Sequence, residues 1–195
     1  MKERIAQVER KTLETQIELR LNLDGLGTVD IDTGIGFLNH MLTALARHAH
    51  FDLQLRCQGD LHVDDHHTAE DCAIVLGQAL DEALGDRRGI HRFGSAYAPL
   101  DEALARAVVD FSGRPWAQVD LGFKREAIGS IACENISHVF TSFAMNARAA
   151  VHIDVRRGEN DHHRAEAAFK ALALALRYAV ARDGHDGVPS TKGVL

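Results

Sequence analysis

Residues 51–55 (Phe51-Asp52-Leu53-Gln54-Leu55) and 151–155 (Val151-His152-Ile153-Asp154-Val155) alternate apolar and polar positions. Successive side chains on a strand face opposite ways, so each stretch predicts a half-buried strand. Similar patterns predict strands over 5–10, 15–23, 28–32, 105–111 and 116–123. Helical spacing takes over elsewhere. Ala73, Ile74, Leu76, Ala79, Leu80 and Leu84 mark a helix ending near Gly85, and Ala167, Phe169, Leu172, Leu176 and Ala179 mark one ending near Gly184. Glycine just beyond the last apolar position is a usual stop. Two more helices are expected over 38–50 and 137–149. Each half then reads strands, helix, strand, helix, the order of an α+β unit with its helices on one face of a sheet.

The halves also match in detail. His40 and His138 are 98 residues apart, while His66 and His162, His67 and His163, and Glu70 and Glu166 are each 96 apart. Asp65-His66-His67-x-x-Glu70 thus returns as Asp161-His162-His163-x-x-Glu166. The chain reads as an internal duplication. No Pro-, Gly- or Ser-rich linker divides it, so residues 1–195 are expected to form a single domain of two packed repeats, about 1–90 and 91–195. Leu-Asp-Glu-Ala-Leu occurs at both 80–84 and 100–104, off the repeat spacing, and is assigned to chance in an Ala/Leu-rich chain.

Composition removes several function classes. The net charge of −6 over 195 residues speaks against a nucleic-acid partner, which needs a basic face. An apolar share of 46% is enough for a packed core. Three cysteines without a C-x-x-C pair provide no disulfide framework and suit a reducing cytoplasm. Neither an apolar signal core after Met1-Lys2-Glu3-Arg4 nor a run near the ~20 residues of a membrane span is found, so no membrane partner is expected.

Twelve histidines are left to explain. His67 with Glu70, and His163 with Glu166, stand at i and i+3, a spacing that puts both on one helix face and lets them reach one ion. Adjacent histidines differ, because neighbouring residues point roughly 100° apart. His66 and His67 would therefore serve two ions, one on each side. Imidazole plus carboxylate without thiolate suits Mn, Fe, Zn or Ni. Three histidines and one glutamate for each of two ions would leave positions open for water or substrate. A lone histidine pair at a helix start is ordinarily solvated surface; recurrence in both halves favours metal. His48, two helical turns beyond His40, is the one unpaired histidine singled out.

An anionic guest is suggested by Arg92 and by Arg114 in Gly113-Arg114-Pro115, both in expected loops, and by Ser190 and Lys192 on a flexible tail. Neither Gly-x-x-x-x-Gly-Lys-Ser/Thr nor Gly-x-Gly-x-x-Gly is present, which sets nucleotide folds aside.

Gly34-Ile35-Gly36-Phe37-Leu38-Asn39-His40-Met41, the stretch Asp64 to Asp71, the stretch Glu159 to Glu166, Arg10-Lys11-Thr12-x-Glu14-Thr15 and Ser190-Thr191-Lys192-Gly193 closely resemble the signatures of the imidazoleglycerol-phosphate dehydratases. The resemblance spans essentially the whole chain. It implies a duplicated α+β fold, each half a four-stranded sheet with two helices on one face (ribosomal protein S5 domain 2-like). It implies two Mn ions per active site on His40, His66, His67, Glu70, His138, His162, His163 and Glu166, with the division between ions left open. It further implies a cytoplasmic homo-oligomer, a 24-subunit shell with sites between subunits.

The implied reaction is the histidine-biosynthetic loss of water from imidazole glycerol phosphate, giving imidazole acetol phosphate. The departing proton sits on a carbon with no carbonyl to acidify it. The substrate's own imidazole, stripped of its ring proton between two ions, would push out the hydroxyl through a diazafulvene-like species. Glu14 is the acid/base candidate, and Arg92, Arg114, Ser190 and Lys192 would hold the phosphate. Two competing readings are a metal-dependent phosphoester hydrolase and a non-catalytic metal-binding shell protein.

Overall fold

Helices α1 (Gly36–Ala49) and α2 (His66–Leu84) pack on one four-stranded sheet, and α3 (Cys133–Asn146) and α4 (Asp161–Val180) on a second, in a computed structural model that describes residues 3–193 and 195. The first sheet is built from β1 (Ile5–Lys11), β2 (Thr15–Asn22), β3 (Val29–Asp32) and β4 (Asp52–Gly59) in the order β1-β2-β4-β3. The second uses β5 (Phe93–Leu100), β6 (Ala103–Asp110), β7 (Trp116–Asp120) and β10 (Ala150–Arg157) in the order β5-β6-β10-β7. A two-stranded ribbon, β8 (Ala127–Ile128) with β9 (Ile131–Ala132), precedes α3. Among the described residues no helix is long and apolar enough to cross a membrane.

The two halves share one topology, as the duplication predicts. β3 runs parallel to β4, and β7 to β10, so each pair needs a crossover; α1 and α3 supply them. The helices also pack across the repeat boundary, α1 on α4 and α2 on α3, and so lie between the two sheets. The strands fill that space differently. Ile17, Leu19, Leu21, Leu53 and Leu55 are the inward set in the first sheet, whereas Ala103, Ala105 and Ala107 line β6, and the buried Phe140 and Phe169 rings meet at a tilt, 4.4 Å between centroids. Large residues on one surface meet small ones on the other, which keeps the interior at native density.

Sequence expectations change at several elements; α3 runs over Cys133–Asn146 rather than 137–149, and β7 stops at Asp120 rather than 123. β5 lay outside the predicted strands, because Phe93-Gly94-Ser95-Ala96-Tyr97-Ala98-Pro99 contains Gly, Pro and small residues that weaken its alternation. α4 ends at Val180 rather than near Gly184; Ala181 has already left helical geometry at φ −61°, ψ 142°.

Candidate metal centre

The site begins at the N-termini of α2 and α4. Asp64 Oδ1 accepts from His66 N at 2.8 Å, and Asn160 Oδ1 from His162 N at 2.9 Å, so each His-His pair enters its helix in a fixed orientation. Four residues on, Glu70 and Glu166 follow their histidines around the helix by only about 40°. His66 Nε2 lies 3.8 Å from Glu70 Oε2, and His162 Nε2 3.3 Å from Glu166 Oε2. The packing of helices then adds a second imidazole from the other repeat. α1 brings His40 Nε2 to 3.1 Å from Glu166 Oε2, and α3 brings His138 Nε2 to 2.9 Å from Glu70 Oε1. In each resulting trio, His40–His162–Glu166 and His66–Glu70–His138, the ligand atoms all lie within 4.8 Å of one another.

These trios correct the expected pairing at i and i+3. Glu70 joins His66, and Glu166 joins His162; His67 and His163 turn away around their helices. His67 Nδ1 instead lies 3.0 Å from Asp60 Oδ2, with its Nε2 3.6 Å from Glu14. His163 Nδ1 lies 2.7 Å from Glu102 Oε2, with its Nε2 3.9 Å from Asp101. Hydrogen bonding to Asp60 raises the basicity of His67 despite some desolvation, and Glu102 does the same for His163. The Glu102 carboxyl is itself held down to about 2, first by the Asn160 backbone N–H and then by His163.

The donor chemistry fits a divalent transition metal. Nδ1 of His66, His67 and His163 each has an oxygen partner, which leaves Nε2 as the ligating atom, an arrangement typical of metal-bound imidazole. For His66 the partner is Asn135 Oδ1 at 2.8 Å; Asn135 Nδ2 donates in turn to Asp65. Among the described residues no such amide faces His162, and the Phe37 ring stands edge-on to it at 5.0 Å. The trios differ in charge as well. Lys170 Nζ sits 2.6 Å from Glu166 Oε1. Burial pushes the Glu166 carboxyl up, but Lys170 and His40 together outweigh it and hold the group below the usual carboxylate range.

The anion-binding candidates lie elsewhere. Arg92 N donates to Ala179 O near the C-terminal end of α4, 13 residues beyond Glu166 and hence about 20 Å along the helix. Its guanidinium is held by Asp110 at 2.7 and 3.2 Å, and donates to Pro189 O at 2.8 Å, which ties down the chain before Ser190. Arg114, in the turn after β6, and Lys192 are exposed. Glu14 is half exposed beside His67 at the tip of the β1–β2 hairpin. His48 stands outside both trios.

The imidazoleglycerol-phosphate dehydratase family profile matches residues 33–176, which include both trios. The chain belongs to the imidazoleglycerol-phosphate dehydratase family. An imidazoleglycerol-phosphate dehydratase of Candida glabrata is 57% identical over 209 residues, covering 98% of this chain and 100% of that one. One from Phytophthora nicotianae is 59% identical over 192 residues, or 98% of this chain and 42% of that longer protein. The crystal structure of the Staphylococcus aureus imidazoleglycerol-phosphate dehydratase superposes with a TM-score of 0.83 at 40% identity, covering 91% of this chain and 99% of that one. The Pyrococcus furiosus dehydratase gives 0.84 at 39%, covering 96% and 100%. Membership of this dehydratase family makes the chain a hydro-lyase and confirms the duplicated α+β fold.

Four residues of the site were not singled out from sequence. Asp60, Glu102, Asn135 and Lys170 orient or neutralise the histidines and glutamates. Only Lys170 carried a signal, standing at i+4 from Glu166 with Ile74 in its place in the first repeat.

Proposed function

We propose that this imidazoleglycerol-phosphate dehydratase acts in histidine biosynthesis by dehydrating imidazole glycerol phosphate with two bound Mn ions, at sites completed between subunits of a 24-subunit shell. The observation that carries this reading is the division of each chain into incomplete pieces. Each trio supplies two imidazoles and one carboxylate, while His67 and His163 face away from the trios of their own chain. A neighbouring subunit's outward imidazole would bring each trio to the three histidines and one glutamate expected per ion.

The other pieces follow the same logic. Arg92, Arg114, Ser190 and Lys192, proposed to hold the phosphate, belong to the far end of the molecule from His162 and Glu166, so they too would serve a neighbour's trio. Leu13, fully exposed at the hairpin tip, stands next to Glu14, as expected of a residue covered on assembly. A reducing cytoplasm suits the three buried free thiols, Cys57, Cys72 and Cys133.

When bound, the metal acts as a Lewis acid toward the substrate's imidazole and fixes its pose. His40, His162 and Glu166, and His66, Glu70 and His138, would hold the two ions together with His67 and His163. Glu14 acts as the base that takes the carbon-bound proton and then, as acid, returns one during ketonisation. Because Glu14 lies 3.6 Å from His67 Nε2, the subunit that contributes His67 also delivers the base to that ion. Arg92 and Arg114 orient the phosphate, which fixes the distance from the reacting carbon to Glu14.

The test supplies Mn and imidazole glycerol phosphate to the assembled protein and follows the enolisable ketone product. Product without release of inorganic phosphate is expected. Phosphate release would point to the hydrolase instead, and no turnover by metal-replete particles would overturn the assignment.

A further inference from the structure

Asp71 is buried at 4% exposure within α2, immediately after Glu70. Thr15 Oγ1, 3% exposed as a residue, donates to Asp71 Oδ2 at 2.5 Å, and Arg10 Nη2 lies 3.0 Å from Asp71 Oδ1. Both partners belong to the β1–β2 hairpin whose tip carries Glu14. Within that tip, Thr12 Oγ1 accepts from Glu14 N at 3.1 Å and from Thr15 N at 3.0 Å, and Thr12 N donates to Thr15 O at 2.9 Å. The carboxylate of Asp71 is therefore joined through Thr15 to the turn that fixes the Glu14 backbone.

The second repeat shows what packing alone requires here. Ile17 pairs with Cys57 as Ala105 pairs with Val155, and Arg10 and Ala98 are the next residues outward on β1 and β5. Arg10, Thr15 and Asp71 thus correspond to Ala98, Ala103 and Ala167, which are 2%, 1% and 0% exposed. Three alanines close the same helix–sheet contact without a buried charge. In the first repeat, moreover, Arg10 Nε is buried with no hydrogen-bond partner among the described residues. A buried carboxylate paired with a half-buried guanidinium is a poor way to gain stability and a good way to fix one geometry. By the same register Glu102, in the tight turn Asp101-Glu102, takes the place of Glu14, and it is held by the Glu159 and Asn160 N–H groups and by His163 instead of by a charged lock beneath the hairpin.

We infer that Asp71 is a positioning residue that, through Thr15 and Arg10, locks the hairpin and holds Glu14 in register with the metal-binding face of α2. This rests on the reading of Glu14 as the base. Loss of the lock lets Glu14 wander from its proton by a fraction of an ångström or more, at a cost in kcat of roughly 10- to 100-fold.

The test is a double-mutant cycle on assembled, Mn-loaded enzyme. Three variants are made, Asp71→Asn, Thr15→Val and the triple Arg10→Ala/Thr15→Ala/Asp71→Ala that copies the second repeat, each with Glu14 and with Glu14→Gln. Expected with Glu14 is a kcat loss of roughly 10- to 100-fold, with KM, Mn content and particle mass unchanged, and recovery in Thr15→Ser. With Glu14→Gln the further loss should shrink to less than about 3-fold. An equal loss in both backgrounds, an unchanged kcat, or loss of Mn or assembly in all three variants would overturn the inference while leaving Glu14 as base. Full activity of Glu14→Gln alone would overturn the reading of Glu14, and the inference with it.

Discussion

His40 Nε2 lies 3.1 Å from Glu166 Oε2 although 126 residues separate them in the chain. The contact exists because α1 of one repeat packs on α4 of the other, and its counterpart, His138 to Glu70, exists because α3 packs on α2. Each trio can therefore be damaged singly. His40→Ala should remove most of one Mn ion per chain and spare the other; His138→Ala should do the reverse. Elemental analysis of the purified variants, with the double variant as the metal-poor limit, checks both.

His67 and His163 should matter for metal and for assembly together, since neither belongs to a trio in its own chain. His67→Ala and His163→Ala should each lower bound Mn and shift native mass toward smaller particles. Chelation of the wild type should shift it the same way. Unchanged metal and mass in both variants would detach these imidazoles from the ions.

The raised basicity of His67 and His163 gives metal uptake a pH dependence of definite sign. Each must lose its proton before Nε2 can ligate, so bound Mn should fall on acidification, starting above the ordinary imidazole value. Asp60→Asn should move the His67 component to lower pH, and a metal titration at a series of pH values measures it.

Glu102 sets the acid limit of the α4 entry. Its carboxylate accepts from Glu159 N at 3.0 Å and Asn160 N at 2.8 Å, and its folded-state value of about 2 lies below the ordinary 4.5. A depressed carboxyl contributes stability that is full above the ordinary value and is lost as pH falls toward the folded one. Denaturant midpoints of metal-free protein should thus decline between about pH 5 and 2, and the decline should be shallower in Glu102→Gln.

Gly77→Ala should loosen the second trio from a distance. A Cβ there would meet Phe143 O at 2.7 Å and Ala147 N at 2.8 Å, backbone atoms that cannot step aside without moving α3 from α2. Overpacking of this kind costs about 1–3 kcal/mol, or several degrees in the thermal midpoint. The Mn held by His66, Glu70 and His138 should weaken before that held by His40, His162 and Glu166.

The duplication was legible because it repeats residue types at fixed spacing, and those residues converge in the folded chain. Which histidine joins which glutamate was less legible: i+3 and i+4 both lie near one helix face, and the choice depended on the second imidazole arriving from another repeat. The Leu-Asp-Glu-Ala-Leu pentapeptide makes the limit plain. At 80–84 it forms the last turn of α2, while at 100–104 Asp101 takes φ 45° and Asp101-Glu102 turns between β5 and β6. Local propensity is the same in both places, so tertiary context decided. Glu102 owes its part in the site to that turn, which composition could not foretell.

Each repeat holds one solitary imidazole and one histidine–glutamate pair, and neither piece lies opposite the other within its own repeat. A polypeptide of half this length would own no complete trio, yet two copies facing each other about a two-fold axis would own two. Symmetry between halves thus stands in for symmetry between molecules, and covalent linkage frees one copy to diverge. Lys170 opposite Ile74, Phe37 opposite Asn135 and Asp71 opposite Ala167 are differences that an identical pair could never have carried.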